Sequence, residues 1–307
     1  MNEKIKKLFT LFAFSISVLY LYKQIDFEEL KLALRQASPL YLSLALILAL
    51  LTVLLSCFRW YIFLNEVQKT SFKKTFKAYL SGYYLISILP PTLGHIAKVR
   101  LVGGDYFRAL SSLAMSTVAE VILVIGLTLI FIGFTKVGVV LLLLTLLILI
   151  YEKGIYTLID SILKAIEHPK LEKLTSSLRN YSERLYSGWR EAKENKIVFA
   201  LSFLLSAITL ILQILGIIVV GRAFGLSISL TAALKGFIIS TIFASISGIP
   251  AGVGANEFGL VLGIGSSTKA AISAFSYKFI FQYMWAIVGA MVFYKILGGG
   301  YEDSSGE

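Results

Sequence analysis

This chain is short of cysteine (Cys57 alone), of histidine (His95 and His168), of proline (five) and of charge (15% of 307 residues), and each shortage excludes something. One cysteine rules out an internal disulfide and a cysteine-cluster metal site. Two histidines are too few for a histidine-based centre unless carboxylates join them. There is no HExxH, no GxSxG, no P-loop and no Asp-rich cluster suited to Mg2+ and a diphosphate. The residues therefore point to a transporter-like protein rather than an enzyme, with no cofactor and no metal expected. No water-soluble domain of useful size is left once the apolar runs are set aside.

Apolar residues are abundant. They make up 57% of the chain, and the mean hydropathy of +0.81 lies outside the range of soluble domains. Runs such as Leu141 to Ile150 and Ile197 to Val220 suit a hydrocarbon core about 30 Å thick. Full spans are predicted at 5–22, 39–62, 108–134, 137–152, 196–221 and 270–296. The basic start and apolar run of the N-terminus imitate a signal peptide, but no small-residue cleavage motif precedes Lys23, so this segment reads as an uncleaved first helix.

The formal charge of +11 is carried by short connections and one amphipathic segment, so membrane topology and anionic headgroups explain it better than nucleic acid does. With the N-terminus inside, twenty-one basic residues fall on the cytoplasmic side, nine of them between Lys153 and Lys196, and seven fall outside. That asymmetry predicts a multi-pass protein of a bacterial or archaeal cytoplasmic membrane with both termini cytoplasmic.

Two further apolar stretches, 75–104 and 231–265, are broken by "LPPTLGH" and "GIPAGVGANE", which hold three of the five prolines. The arm Thr75 to Leu89 reaches only about 22 Å as a helix, so it is expected to enter and leave by one side. The arm of the second stretch is longer, and both a span and a re-entrant hairpin remain open for it. In this topology the hairpins enter from opposite sides. Sliding the chain by 160 residues superimposes Ser87 on Ser247, Pro90 on Pro250 and Gly94 on Gly254, and each break follows a span ending in an arginine, Arg59 and Arg222. The fold class that follows is an all-α polytopic membrane protein, with six full spans plus two broken or re-entrant helical hairpins arranged as inverted repeats. The repeats cover about 1–135 and 136–297 of a single membrane domain, 1–297, with a polar tail at 298–307. Helical spacing of apolar residues in 155–193 predicts two amphipathic helices on the cytoplasmic interface, either a linker packed on the protein's own loops or a lipid-sensing element.

Non-helical backbone at membrane depth is tolerated where protein buries it or where it lines a polar cavity. Half-helices starting after Gly94 and Gly254 would aim two positive ends at one another, an anion site in outline; two structural hairpins filling a core are the plainer reading. Pro91, Pro250, Gly252 and Asn256 shape these breaks. Glu120, Glu257 and Lys278 place charge deep in apolar segments, which is costly and usually faces a bundle interior or a wet path. They serve either as a buried ion pair that orients helices or as a lysine that meets a substrate phosphate while carboxylates balance charge. Lys98 and Arg100 follow the first break and would receive an anionic headgroup at its mouth, or be ordinary positive-inside residues. His95 is expected to cap the first half-helix or bond locally.

The stretches "LPPTLGHIAKVRL" with "AEVILVIGL", and "IPAGVGANEFGLVL" with "AISAFSYKFIFQYMWAIVGA", resemble the lysylphosphatidylglycerol synthase transmembrane-region family, the flippase-like membrane half of the bacterial multiple peptide resistance factor, which also occurs as stand-alone proteins. Pro250, Gly252, Gly254 and Glu257 match a family pattern of Pro-Gly-Gly-x-Gly-x-x-Glu; Pro91, Gly94 and Glu120 match the first motif and the glutamate after it. Ala251 stands where glycine is usual, His95 where an acidic residue is common, and Lys98 and Lys278 where arginines are expected. Lysine keeps the charge but loses the bidentate fork. The resemblance implies movement of lipids between leaflets, lysyl-phosphatidylglycerol or polyprenyl-linked lipids among them. The family's aminoacyl-transferring domain has no counterpart in these residues, so synthesis of such a lipid is not expected. The reading is a flippase or scramblase for a membrane lipid with an anionic phosphate headgroup. The alternative is a non-transporting partner or scaffold of a lipid-modifying or envelope-synthesis enzyme. Partners left open are a second copy of the chain and a separate lipid-modifying enzyme.

Overall fold

A computed structural model of the chain describes residues 26–89, 91–131, 136, 139, 140, 143, 144, 147, 151–165 and 172–302. The span expected at 5–22 and most of that at 137–152 lie outside them. Among the described residues all regular structure is helical: α1 Phe27–Gln36, α2 Pro39–Val67, α3 Phe72–Ile88, α4 Pro91–Arg100, α5 Tyr106–Phe131, α6 Glu152–Ala165, α7 Glu172–Glu194, α8 Lys196–Ala223, α9 Leu230–Ser247, α10 Ala255–Ile264, α11 Thr268–Lys278 and α12 Met284–Glu302. A 3-10 turn, Pro250–Gly252, precedes α10, and a π-turn, Phe279–Tyr283, joins α11 to α12. Among the described residues five helical stretches are long and apolar enough to cross a bilayer: Pro39–Val67, Tyr106–Gly126, Lys196–Ala223, Leu230–Ser247 and Thr268–Leu297.

Contacts divide the chain into two compact units. The first comprises Met1–Leu55, Phe76–Lys98 and Ile208–Glu307; the second comprises Ser56–Thr75 and Val99–Ala207.

In the first unit, helix ends are set by local chemistry. The Asp26 carboxylate accepts the N–H groups of Glu28 and Glu29 at 2.9 and 3.0 Å and starts α1, an amphipathic helix that the spans alone did not foretell. The Asp26 N–H donates to Thr268 Oγ1 at 3.2 Å, fastening α1 to α11. Ser229 caps α9, Ser267 caps α11, and Gly248 ends α9 at φ 63. The two arms α9 and α10 run against each other on small residues: a Cβ added to Gly263 would stand 2.2 Å from Gly236 Cα, and one on Gly259 would stand 2.6 Å from Ser240 Cα. Lipid tails are as apolar as leucine, so close backbone packing supplies the attraction that burial alone does not. Ala270, Ala271 and Ala274 keep α11 equally slim in the core. Outward positions on α12, such as Ile287, Met291 and Leu297, are large, apolar and exposed, as a lipid-facing surface requires.

The first break follows the same logic with arms of nearly the same length. Helix α3 has 17 residues, about 26 Å, with three lysines in its first two turns, and α4 has ten, so neither is among the stretches long and apolar enough to span. Gly94 lets them pack side by side, since a Cβ there would lie 2.7 Å from Ile86 Cα. Gly289 on α12 likewise admits Leu80 O of α3, 2.1 Å from where its Cβ would be.

In the second unit the two predicted amphipathic helices are present as α6 and α7. The Asp160 carboxylate of α6 reaches α7 at Arg179 Nε, 2.7 Å away, and pairs within its own helix with Lys164 Nζ at 2.8 Å. The hydrogen bond from Lys164, then the Arg179 charge, hold its carboxyl below the usual range despite some desolvation. Tyr156 and Tyr186 stack at 4.5 Å. Helix α7 lies on α5: Ser111 Oγ donates to Leu185 O at 2.9 Å, Arg108 pairs with Glu191 at 3.0 Å, and Gly188 admits the Arg108 backbone. The linker reading accounts for this face of α7, while Leu158, Ile159 and Ile162 of α6 stay exposed.

Candidate functional site

The second break concentrates polar groups in an apolar unit. Four residues between α9 and α10 take left-handed backbone: Gly248, Ala251, Gly252 and Gly254, at φ 63, 54, 65 and 82. Three are glycines, for which that region costs nothing; Ala251 is not, and a left-handed alanine costs roughly 1–2 kcal/mol. This is the position where the family resemblance expected glycine. The twist turns the Ala251 carbonyl toward two amides: Asn256 Nδ2 donates to it at 2.8 Å and Gln282 Nε2 at 2.9 Å. Ser240 Oγ donates to Asn256 Oδ1 at 3.1 Å, and Lys278 Nζ to Gln282 Oε1 at 3.0 Å. A continuous polar chain thus runs from α9 through the break to the π-turn. Gly252 is glycine for space as well, because a Cβ would stand 2.4 Å from Asn256 Nδ2.

Glu257 is wholly buried. One oxygen accepts the Gly254 N–H at 2.7 Å; the other accepts the Tyr283 hydroxyl. The carboxylate therefore caps its own half-helix, satisfying a donor that the sequence reading had left for a ligand. Lys278 feels the Glu257 charge without pairing to it directly; its hydrogen bond goes to Gln282. The π-turn matters here, because its wider winding directs two successive residues, Gln282 and Tyr283, to the same break. Polar residues one turn beyond Lys278 could have flagged Gln282. Nothing in a regular 3.6-residue period would have put Tyr283 beside it.

The first break differs from its expected twin. Helix α4 begins at Pro91, with proline at the first helical position, so Gly94 lies inside the half-helix and serves packing, whereas Gly254 sits at the N-cap of α10. His95 likewise falls in the body of α4 and not at its start. Lys98 is buried, its stem laid against Gly82 and its ammonium 4.7 Å from the Tyr79 ring centre. The mouth position assigned to it is corrected: it belongs to the packed face of the hairpin.

Glu120 lies in mid-α5, as expected, and does form an ion pair. Its partner is Arg59, at 2.6 Å, and Arg59 also donates to Ser206 Oγ at 2.7 Å. The reading of Arg59 as a span end is overturned by α2, which continues to Val67 and buries the guanidinium. Arg59 is the buried charge that the sequence reading missed; its signal is an arginine inside "LLSCFRWYIFL". Arg100 is exposed, 5.5 Å from the Tyr106 ring centre. The structure thus gathers Pro250, Gly252, Gly254, Asn256, Glu257 and Lys278 at one break, while Pro91, Gly94 and Lys98 belong to the first hairpin and Glu120 and Arg100 to the second unit. Among the described residues no group of three histidine, cysteine or carboxylate side chains could hold a metal.

Residues 8–289 match the family model of the lysylphosphatidylglycerol synthase TM region. The chain is also similar to a UPF0104 membrane protein of Methanothermobacter thermautotrophicus, 24% identical over 276 residues that cover 79% of this chain and 82% of that protein. The family match spans most of the sequence, and the chain belongs to the lysylphosphatidylglycerol synthase TM-region family.

Proposed function

We propose that this member of the lysylphosphatidylglycerol synthase TM-region family moves a lipid with an anionic phosphate headgroup between leaflets. The observation that carries the reading is the second break, where a fully buried carboxylate and an ammonium share a hydrogen-bonded, left-handed backbone turn within apolar helices. Such groups are expensive at membrane depth and mark substrate or ion paths. Lys278 would meet the phosphate, Glu257, held by the Tyr283 hydroxyl, would balance the ammonium in its absence, and the acyl or prenyl chains would stay in the bilayer. No ATPase motif is present in the sequence, so movement would be passive or ion-coupled.

Inverted repeats would give alternating access to such a site. Supporting them, the first hairpin folds about residue 90, pairing Ile86 with Gly94, and the second folds about residue 250, pairing Gly236 with Gly263, a separation of roughly 160 that equals the sequence offset. The positive-inside count supports both termini on the cytoplasmic side of the inner membrane.

The test is headgroup transfer in proteoliposomes carrying a fluorescent anionic phospholipid. Lys278→Ala and Glu257→Gln should slow transfer while the protein remains folded. Transfer at the wild-type rate by both variants would remove the assigned site. A wild-type chain that transfers nothing, yet co-purifies stoichiometrically with another protein, would favour the scaffold reading.

A further inference from the structure

In the second unit a cavity of about 570 Å3 opens beside the end of α4, lined by Val99, Arg100, Gly103, Gly104, the α5 aromatics and Tyr181 of α7. Its volume is within the range of small-molecule sites. From its chemistry we infer that it binds an organic phosphate: a phosphate group held by Arg100 and Lys74, with the apolar remainder against the Phe107–Tyr181 wall.

The loop beside it is held at both ends. Gln68 clamps both ends, Nε2 donating to Gly103 O at 3.0 Å and Oε1 accepting the Asp105 N–H at 2.9 Å. Gly103 and Gly104 both take left-handed backbone, and the missing Cβ of Gly103 leaves room for the Lys74 ammonium, 3.2 Å from where that atom would stand. Neither Lys74 nor Arg100 is in an ion pair among the described residues. The neighbouring Asp105 carboxylate is engaged elsewhere, accepting the N–H groups of Phe107 and Arg108 at 2.9 and 3.2 Å to start α5. Two cations outside any ion pair, Lys74 on α3 and Arg100 at the end of α4, beside one clamped loop favour a doubly charged anion, and Arg100 offers the planar fork that suits phosphate. The wall is an aromatic pair, Phe107 and Tyr181, at 4.9 Å. Tyr181 is carried by α7, whose seat on α5 is fixed by Ser111, Arg108 and Gly188. An apolar or aromatic surface next to two cations fits a phosphate ester better than inorganic phosphate alone.

The probes are dihexanoyl-phosphatidic acid, dihexanoyl-phosphatidylcholine and inorganic phosphate, titrated into the full chain purified in an uncharged detergent and read by calorimetry. Phosphatidic acid should bind, and Arg100→Glu or Lys74→Glu should each weaken it by about tenfold or more. Arg100→Lys, which keeps the charge but loses the fork, should lose clearly less affinity than Arg100→Glu, which separates site loss from misfolding. Displacement by millimolar inorganic phosphate would place the ligand among soluble phosphate esters; resistance to it would assign a lipid headgroup. Equal binding of phosphatidylcholine, no binding of any probe, or affinity unchanged in both Glu variants would overturn the inference. Binding is read at equilibrium and needs no transfer, so it stands or falls apart from the translocation reading.

Discussion

Gly263→Ala adds one methyl group at the closest point of the second hairpin. The new carbon would lie 2.2 Å from both Gly236 Cα and Gly236 N, against an ordinary contact of 3.4 Å or more. Both obstacles are backbone, so no side chain can swing aside, and α9 and α10 must separate by about 1.2 Å to restore contact distance. The Ser240–Asn256 hydrogen bond, 3.1 Å long, would then stretch beyond bonding range, and the amide chain to the Ala251 carbonyl would loosen with it. Overpacking costs about 1–3 kcal/mol, to which a lost buried hydrogen bond adds roughly 1 kcal/mol. For a protein of this size that corresponds to a fall in Tm of the order of 5–10 °C. Gly126→Ala is the matched control: nothing lies within 4 Å of its added Cβ in the C-terminal part of α5, and alanine is the better helix former, so its Tm should hold or rise. Thermal unfolding of detergent-solubilised protein, followed by the loss of a monodisperse size-exclusion peak, reads both. Equal Tm values for wild type and Gly263→Ala would refute the close packing on which the site's geometry depends.

Two other perturbations test the polar interior. Removing Glu120 strands Arg59, whose side chain is 6% exposed, whereas removing Arg59 strands Glu120, whose side chain is 37% exposed; Glu120→Gln should therefore cost up to about 3–5 kcal/mol and Arg59→Met less, and the reverse order of melting temperatures would contradict the assignment. Ala251→Val puts a β-branched side chain into the left-handed region, where it is strained well beyond alanine, so it should lower Tm and slow headgroup transfer together; a variant as stable as wild type would mean that the turn is not left-handed.

Much of this architecture was readable along the chain, for reasons that are local. A stretch such as Ile197 to Val220 announces a membrane helix because every residue contributes to the same transfer energy. The spacing of Leu171, Leu174, Leu178 and Tyr181 announces an amphipathic one because periodicity survives without knowledge of the partner. The breaks were legible because proline and glycine act on their own backbone, and Ala251 stood out because it departs from a glycine pattern. Arg59 was misplaced for the opposite reason: an arginine in an apolar run reads as a helix end until its carboxylate, sixty-one residues away, is known. The same limit hid Tyr283, which reaches Glu257 only because the helix widens into a π-turn.

Composition and short-range pattern by themselves determined the membrane class, most of the long helices and the two interruptions, since each follows from energies summed over neighbouring residues. Tertiary structure decided which partner each buried charge has. Glu257 caps its own half-helix, Lys278 joins an amide chain, Glu120 pairs with Arg59, and Lys98 lies packed on Gly82. A charge removed from water must find a partner through space, and which residues come within 3 Å of it is fixed by helix packing and by single backbone angles, not by distance along the chain.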